Sequence, residues 1–226
     1  MRYLVDLAKS GKTASSLIIL LPGASCRPED FISQGFVEAV RERGLDIDLM
    51  LVELHFDQIA DQTALGDLNR EVVAPASARY QTIWLAGISI GGYLAMAHAH
   101  HYPGQVHGLC LMAPYPGNRM TTGEIANAGG LNAWQPGVIA HDDIERGNWA
   151  WLKHAQTVEI HLGYGTADRF ADGIALMEQA IPASQVDKIP GNHSWPVWRQ
   201  LWFNFLDKQQ QAQSQAVQNL HTAVTS

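Results

Sequence analysis

Ser89 stands in the run Gly87-Ile88-Ser89-Ile90-Gly91-Gly92, after the apolar stretch Thr82-Ile83-Trp84-Leu85-Ala86 and before the helical pattern Tyr93-Leu94-Ala95-Met96-Ala97-His98. Strand, sharp turn and helix around Gly-x-Ser-x-Gly is the context in which a serine hydroxyl is raised above a sheet edge as a nucleophile. Glycine suits both flanks, because a Cβ there would meet the neighbouring strand or helix. Taken alone, the run also fits a glycine-rich turn with an incidental serine, so the partners decide. A serine hydroxyl needs a base to take its proton, and the base needs an acid to hold its tautomer. Gly163-Tyr164-Gly165-Thr166-Ala167-Asp168 puts an aspartate on a loop directly after a strand pattern. Pro190-Gly191-Asn192-His193-Ser194-Trp195 puts a histidine on the loop before the last helical pattern. Ser89, Asp168 and His193 are therefore the candidate nucleophile, acid and base. Asp172, at an expected helix start, and Asp187, inside an expected strand, are weaker alternatives for the acid.

A tetrahedral intermediate needs two donors aimed at its oxyanion. The backbone N–H of Ile90 is one candidate and that of Ala24, in Pro22-Gly23-Ala24-Ser25, the other, with the Ser25 hydroxyl as an addition; the bland alternative makes this loop a tight turn only. Trp134, Trp149 and Trp151 fall in one Gly- and Asn-rich insertion, and Trp134 and Trp149 are candidates to cover an apolar substrate pocket, or else to fill core. The ten histidines raise the question of a metal. His98, His100 and His101 put at most two on one helical face, with no carboxylate or cysteine at ligand spacing, so no metal site is expected. His55 follows a strand at the same edge and either lines the pocket or is an ordinary surface residue.

These groups converge only if strands and helices alternate. The expected order is a leading strand within residues 1–9, a strand over 16–21 and a helix over 28–43 stopped by Gly44. A strand over 48–54 and a helix over 62–75 come next, then the strand into Ser89 and a helix over 91–102. Strands over 106–112, 157–164 and 185–189 complete the sheet, with a helix over 172–180 between the last two and a final helix from near 194. Such alternation predicts an α/β fold, a doubly wound, mostly parallel sheet with helices on both faces, whose loops gather a site at the strands' C-terminal edge. The insertion over 115–150 breaks the rhythm as a short lid. Residues 1–207 read as a single domain. The Gln-rich tail 208–226 carries Ala212, Ala216, Leu220 and Val224 at intervals of four; it either extends the last helix, with a stripe that can pair two chains as a homodimer, or is disordered.

Composition sets the bounds. A chain of 226 residues that is 46% hydrophobic can bury one sizeable core. Its net charge of −7 and scattered basic residues argue against nucleic acid or an anionic membrane as partner. Cys26 and Cys110 define no disulfide framework and read as free thiols. No stretch has the length of a membrane span, Asp6 and Lys9 interrupt any leader, and Pro22-Gly23 breaks a faint lipoprotein-like pattern before Cys26, so the expectation is a cytoplasmic protein.

The Gly87–Gly92 run with Gly-Tyr-Leu-Ala after it, Gly165-Thr166-Ala167-Asp168 and Gly191-Asn192-His193-Ser194-Trp195 together resemble the α/β-hydrolase superfamily over roughly 14–207. The stretch His193-Ser194-Trp195-Pro196-Val197-Trp198-Arg199 is similar to the end of small esterases, including the esterase D-like group, in which the aromatic and the arginine hold the histidine loop against the last helix. The resemblance implies Ser89 as nucleophile, His193 as base, Asp168 as its orienting acid and no cofactor. It also implies a small-molecule ester as substrate, cleaved through an acyl-enzyme. A thioesterase or acyltransferase with the same three residues, and a non-catalytic binding protein on the same fold, are the alternatives. Two departures stand out: Pro22-Gly23 replaces the His-Gly of many members, and the lid is shorter than a true lipase needs.

Overall fold

The run Ser16–Leu21 (β2) is apolar throughout because both faces of this strand are covered, and every residue from Leu17 on is buried. It pairs in parallel with Ile47–Val52 (β3) on one side and Thr82–Ile88 (β4) on the other. Gly108–Met112 (β5), Glu159–Gly165 (β6) and Val186–Ile189 (β7) continue in parallel beyond β4, and Tyr3–Asp6 (β1) closes the other edge antiparallel to β3. The seven-stranded order is β1-β3-β2-β4-β5-β6-β7. The chain thus builds outward from β2 to one side and then crosses to the other, which opens a crevice at the C-terminal ends of β2 and β4. The computed structural model describes residues 1–55, 58, 63–154 and 157–224, those from 212 on as backbone only.

The helices mostly keep to the expected pattern, with three differences. The helix expected over 28–43 is two, Pro28–Ser33 (α1) and Phe36–Glu42 (α2), parted at Gly35 in the left-handed region at φ +78. The break turns Phe31 onto Phe36, with ring centroids 5.2 Å apart, and both onto Trp195. The helix expected over 62–75 is seen from Ala64–Leu68 (α3), passes through a π-helical turn at Asn69–Val73 and resumes as Ala74–Ser77 (α4); Gln62 lies outside the described residues. The wider turn lets Pro75, which lacks an N–H, sit in the first turn of α4 instead of clashing with the turn before it. Ile90–His101 (α5) carries the turn after β4.

The third difference is the insertion. Residues 115–143 hold one helix, Arg119–Asn127 (α6), whose Asn118 side chain accepts the N–H groups of Met120 and Thr121 as an N-cap. Ile144–His154 (α7) is not lid but the crossover helix into β6, packed on α5. Ala171–Met177 (α8) precedes β7, and Trp195–Val224 (α9) ends the fold. The tail therefore extends the last helix as far as Val224. No helix among the described residues is long and apolar enough to cross a membrane. Cys26 and Cys110 are free thiols.

Asp48 and His98 are among the polar groups buried in this frame. Asp48, within β3, accepts N–H groups from Ala8 and Ala14 and the hydroxyl of Tyr80, tying the N-terminal segment to the sheet. Burial and that carboxylate push the Tyr80 hydroxyl up to about 12. On α5, His98 is fully buried, its Nε2 bonded to Asn69 Oδ1 at 3.2 Å while Nδ1 has no partner. Burial, helped by His101, lowers His98 from 6.5 to about 4.

Because the unfolded chain takes up this proton near pH 6.5 and the native chain does not, stability is full above that pH and falls as pH drops towards 4. The slope reaches about 1.4 kcal/mol per pH unit for one such group. His98→Gln, which keeps an amide donor for Asn69, is expected to flatten the fall of Tm between pH 6.5 and 4 measured by circular dichroism.

Candidate active site

The crevice at the end of β4 is built around a backbone that only close packing can hold. Ser89 has φ +52 and ψ −114, outside the regions that a serine normally adopts. Its N–H donates to Met112 O at 3.1 Å, and its carbonyl accepts N–H groups from Gly92, Tyr93 and Tyr115. The flanking glycines are obligatory for clearance: a Cβ at Gly87 would lie 2.4 Å from the Gly91 backbone, and one at Gly91 only 2.3 Å from Leu21 O of β2. Ser89 is 8% exposed, and its hydroxyl has no hydrogen-bond partner among the described residues, which leaves it open to an incoming group.

Asp168 sits after β6 in a tight turn, with its side chain wholly buried. Its Oδ1 accepts the Phe170 N–H at 2.9 Å and its Oδ2 lies 2.7 Å from His193 Nδ1. Both oxygens are satisfied, which a buried carboxylate requires. A carboxylate at Nδ1 fixes the proton there and leaves Nε2 as the acceptor. The two loops are stitched together by Thr166 N–H to Ile189 O and Ala167 N–H to Gly191 O, each 2.8 Å. The approach is so close that a Cβ on Gly165 would lie 2.3 Å from Gly191 O. The structure thus joins Asp168 to His193; Asp172 sits in the first turn of α8, and Asp187 bonds Lys208 from within β7.

His193 is 11% exposed in its side chain. Its ring is held edge-on by Phe170 at 5.2 Å and Trp198 at 5.1 Å. The motif's Arg199 does not clamp this loop, contrary to the expectation; its guanidinium lies over Phe203. Trp198 does that work, while Trp195 joins the Phe31 and Phe36 cluster. The residue pattern does not by itself single out Phe170 or Trp198, although their positions two after the acid and five after the histidine are a usable signal.

The loop after β2 lies against the serine: a Cβ on Gly23 would be 3.7 Å from Ser89 Cβ. Ser25 takes a positive φ of 65 in this loop, and Ala24, Ser25 and His55 line an adjoining cavity of about 590 Å³. His55 is exposed at the rim of this cavity. A second cavity, about 380 Å³, opens beside Ile90 over Leu65, Leu94 and Ala97, and a third, about 830 Å³, runs under Phe170. Trp134 and Trp149 line none of the three. Each is 2% exposed; Trp134 donates its indole N–H to Glu124 and Trp149 to Pro116 O, both at 2.8 Å. Trp149 ties the insertion to α7 while Trp134 braces it internally against α6, because an indole buried with its N–H satisfied is structural mass. No group of His, Cys, Asp and Glu among the described residues is arranged to hold a metal.

Sheet order, strained turn and loop positions are those of the α/β-hydrolase fold. Similar solved structures include S-formylglutathione hydrolase from Staphylococcus aureus, 13% identical, with a TM-score of 0.62 over 92% of this chain and 89% of that one. A ferulic acid esterase is 15% identical with a TM-score of 0.63 over 90% and 89% of the two chains. Est1E from Butyrivibrio proteoclasticus is 17% identical with a TM-score of 0.58 over 93% and 94%. No protein-family model matches the sequence, and no curated protein matches it either.

The clearance at the turn makes a direct prediction. Gly91→Ala must displace α5 from β2, a steric cost of about 1–3 kcal/mol, and is expected to lower Tm by about 3–10 °C in differential scanning calorimetry. Gly66→Ala, where a Cβ meets nothing within 4 Å, serves as the control.

Proposed function

We propose that this protein is a serine hydrolase that cleaves small to medium carboxylic esters through an acyl-enzyme. The observation that carries the reading is the Asp168–His193 hydrogen bond at 2.7 Å beside a serine held at φ +52, since strain of this kind persists where a function uses it. Ser89 Oγ attacks the ester carbonyl while His193 Nε2 takes its proton. The tetrahedral oxyanion is held by the N–H groups of Ile90 and Ala24, with Ser25 at the loop's outer side. The C–O bond to the alcohol breaks as His193 returns the proton to the leaving oxygen. Water then attacks the acyl carbon as His193 accepts its proton, and His193 passes that proton to Ser89 Oγ as the acyl–serine bond breaks and the carboxylic acid leaves. Asp168 keeps the imidazole in the right tautomer and stabilises the imidazolium without itself taking the proton.

The cavity over Ile90, at about 380 Å³, supports a compact acyl group. Solved structures of esterases among the similar folds support the same reaction class, and the protein is read as acting on a free small molecule in the cytoplasm. A fluorophosphonate probe followed by intact-mass measurement is the test. One adduct on the native chain, absent from Ser89→Ala, is expected; the absence of any adduct would move the protein to a binding role on this fold.

Asp168→Asn puts a carboxamide where the carboxylate now accepts both the Phe170 and the His193 protons. It is expected to lower kcat on a butyrate ester by about 10³–10⁴-fold with little change in KM. The far-ultraviolet circular dichroism spectrum is expected to stay native.

A further inference from the structure

Two cavities adjoin the neighbours of the candidate catalytic groups, one at Ile90 and one at Phe170, and they differ in charge as well as size. The one over Ile90 has an apolar wall of Ala64, Leu65, Leu94 and Ala97 and an acidic rim of Asp142, Asp143 and Glu145. Its single arginine, Arg146, is spent on Glu124 and Asp143. The cavity under Phe170 is lined by Arg119 and Arg169 against one carboxylate, Asp172. Among the described residues neither of these guanidiniums makes an ion pair or a hydrogen bond, and Arg169 lies over the Phe170 ring at 4.8 Å. Two uncommitted cations in one groove are notable on a chain of net charge −7, whose overall field repels anions.

The proposed ester cleavage dictates which part of a substrate belongs in which cavity, so the placement of the two ends rests on that reading of the function. The leaving oxygen must come within hydrogen-bond reach of His193 Nε2 to receive its proton. Phe170 packs edge-on against that imidazole at 5.2 Å and also lines the arginine cavity. Phe170 is thus the shared wall between the imidazole and the groove of Arg119 and Arg169, and the proposed orientation sends the leaving group past His193 towards that groove. The acyl chain takes the other direction, along the apolar wall that begins at Ile90.

We propose that the substrate is an ester of a neutral, apolar acyl group with an alcohol that carries an anionic substituent, a carboxylate or a phosphate, held by Arg119 and Arg169. Arginine presents a planar fork of donors that suits both anions. The acidic rim of the acyl cavity works in the same direction, since it rejects the anionic end of the substrate and enforces one orientation. The anion takes no part in bond making or breaking; it sets KM and the direction of binding.

The test compares kcat/KM for three butyrate esters, 4-carboxyphenyl, 4-(phosphonooxy)phenyl and the neutral 4-carbamoylphenyl, on the native chain, on the double variant Arg119→Gln/Arg169→Gln and on Arg79→Gln. Reactivity differences among the esters cancel in the variant-to-native comparison. The double variant is expected to lower the anionic-to-neutral ratio about 5- to 10-fold, through KM, as exposed charge pairs of this kind do. Arg79→Gln, which lies just before β4 at the opposite edge of the sheet, is expected to leave the ratio unchanged. Raised salt should shrink the native ratio towards that of the double variant. A larger drop for one anion supports the proposal and names its source. A ratio unmoved by the double variant, or equal losses on all three esters, overturns it while leaving the hydrolase reading intact. No turnover of any ester together with no fluorophosphonate adduct on Ser89 overturns both.

Discussion

The structure depends on reversing the chain from β4 into α5 within a single residue. Ser89 does this at φ +52, a conformation that costs on the order of 1–3 kcal/mol. The turn cannot relax, because α5 begins against β2 with no spare volume: Gly91 sits where any side chain would strike Leu21 O, and Gly87 where one would strike the start of the helix. The strain is offset by the sheet it is wedged into, whose central strands β2, β4 and β5 are buried almost end to end. A looser core would let the helix step away and the serine fall back to an ordinary turn.

A second constraint comes from burying Asp168. An ionised carboxylate removed from water must have its lone pairs occupied. Here one oxygen takes the Phe170 N–H of its own turn and the other takes the imidazole. That requirement links the loop after β6 to the loop after β7, and the backbone bonds from Thr166 and Ala167 fix the spacing between them. Phe170 and Trp198 then confine the imidazole from two sides, so the ring can turn only by disrupting packed aromatics. The orientation of His193 is thus a consequence of how an acid is desolvated two strands away from the serine.

Much of this is legible in the residue pattern. The apolar run marks β2 at its observed bounds, because a strand buried on both faces has one way to be apolar. The helix from Ile90 and the loop positions of Asp168 and His193 are legible too, since strand ends and helix starts are local signals. The break at Gly35 is not: Gly44 also stops a helix, and choosing between the two glycines needs the long-range contact of Phe31 and Phe36 with Trp195. The tryptophans mislead for a related reason. Whether an indole at position 134 or 149 faces a pocket or the body is decided by where its N–H finds an acceptor, and Glu124 and Pro116 are set by tertiary structure. Arg199 neighbours the histidine loop in sequence, yet the helical turn carries it round to Phe203. Sequence separation gives proximity along a helix but not the face.

The same division explains how a chain 13–17% identical to solved structures keeps their fold. What the fold needs is concentrated in a few places where volume or a polar partner leaves no freedom: the two glycines of the turn, the Gly165 and Gly191 approach, the acid and the imidazole. Elsewhere any apolar residue of about the right size serves. The residues that line the cavities are drawn from the remainder, with the insertion over 115–143 contributing Tyr115, Asn118 and Arg119. Yet this segment is coupled to the strained turn, because the Tyr115 N–H donates to the carbonyl of Ser89 itself at 2.8 Å. The insertion thus meets the turn at its first residue and is tied to α7 just beyond it, through Pro116 and Asn118. Part of the charge that lines the cavities, Arg119 among it, is thus carried outside the elements that build the turn, and a fold by itself does not specify what a protein binds.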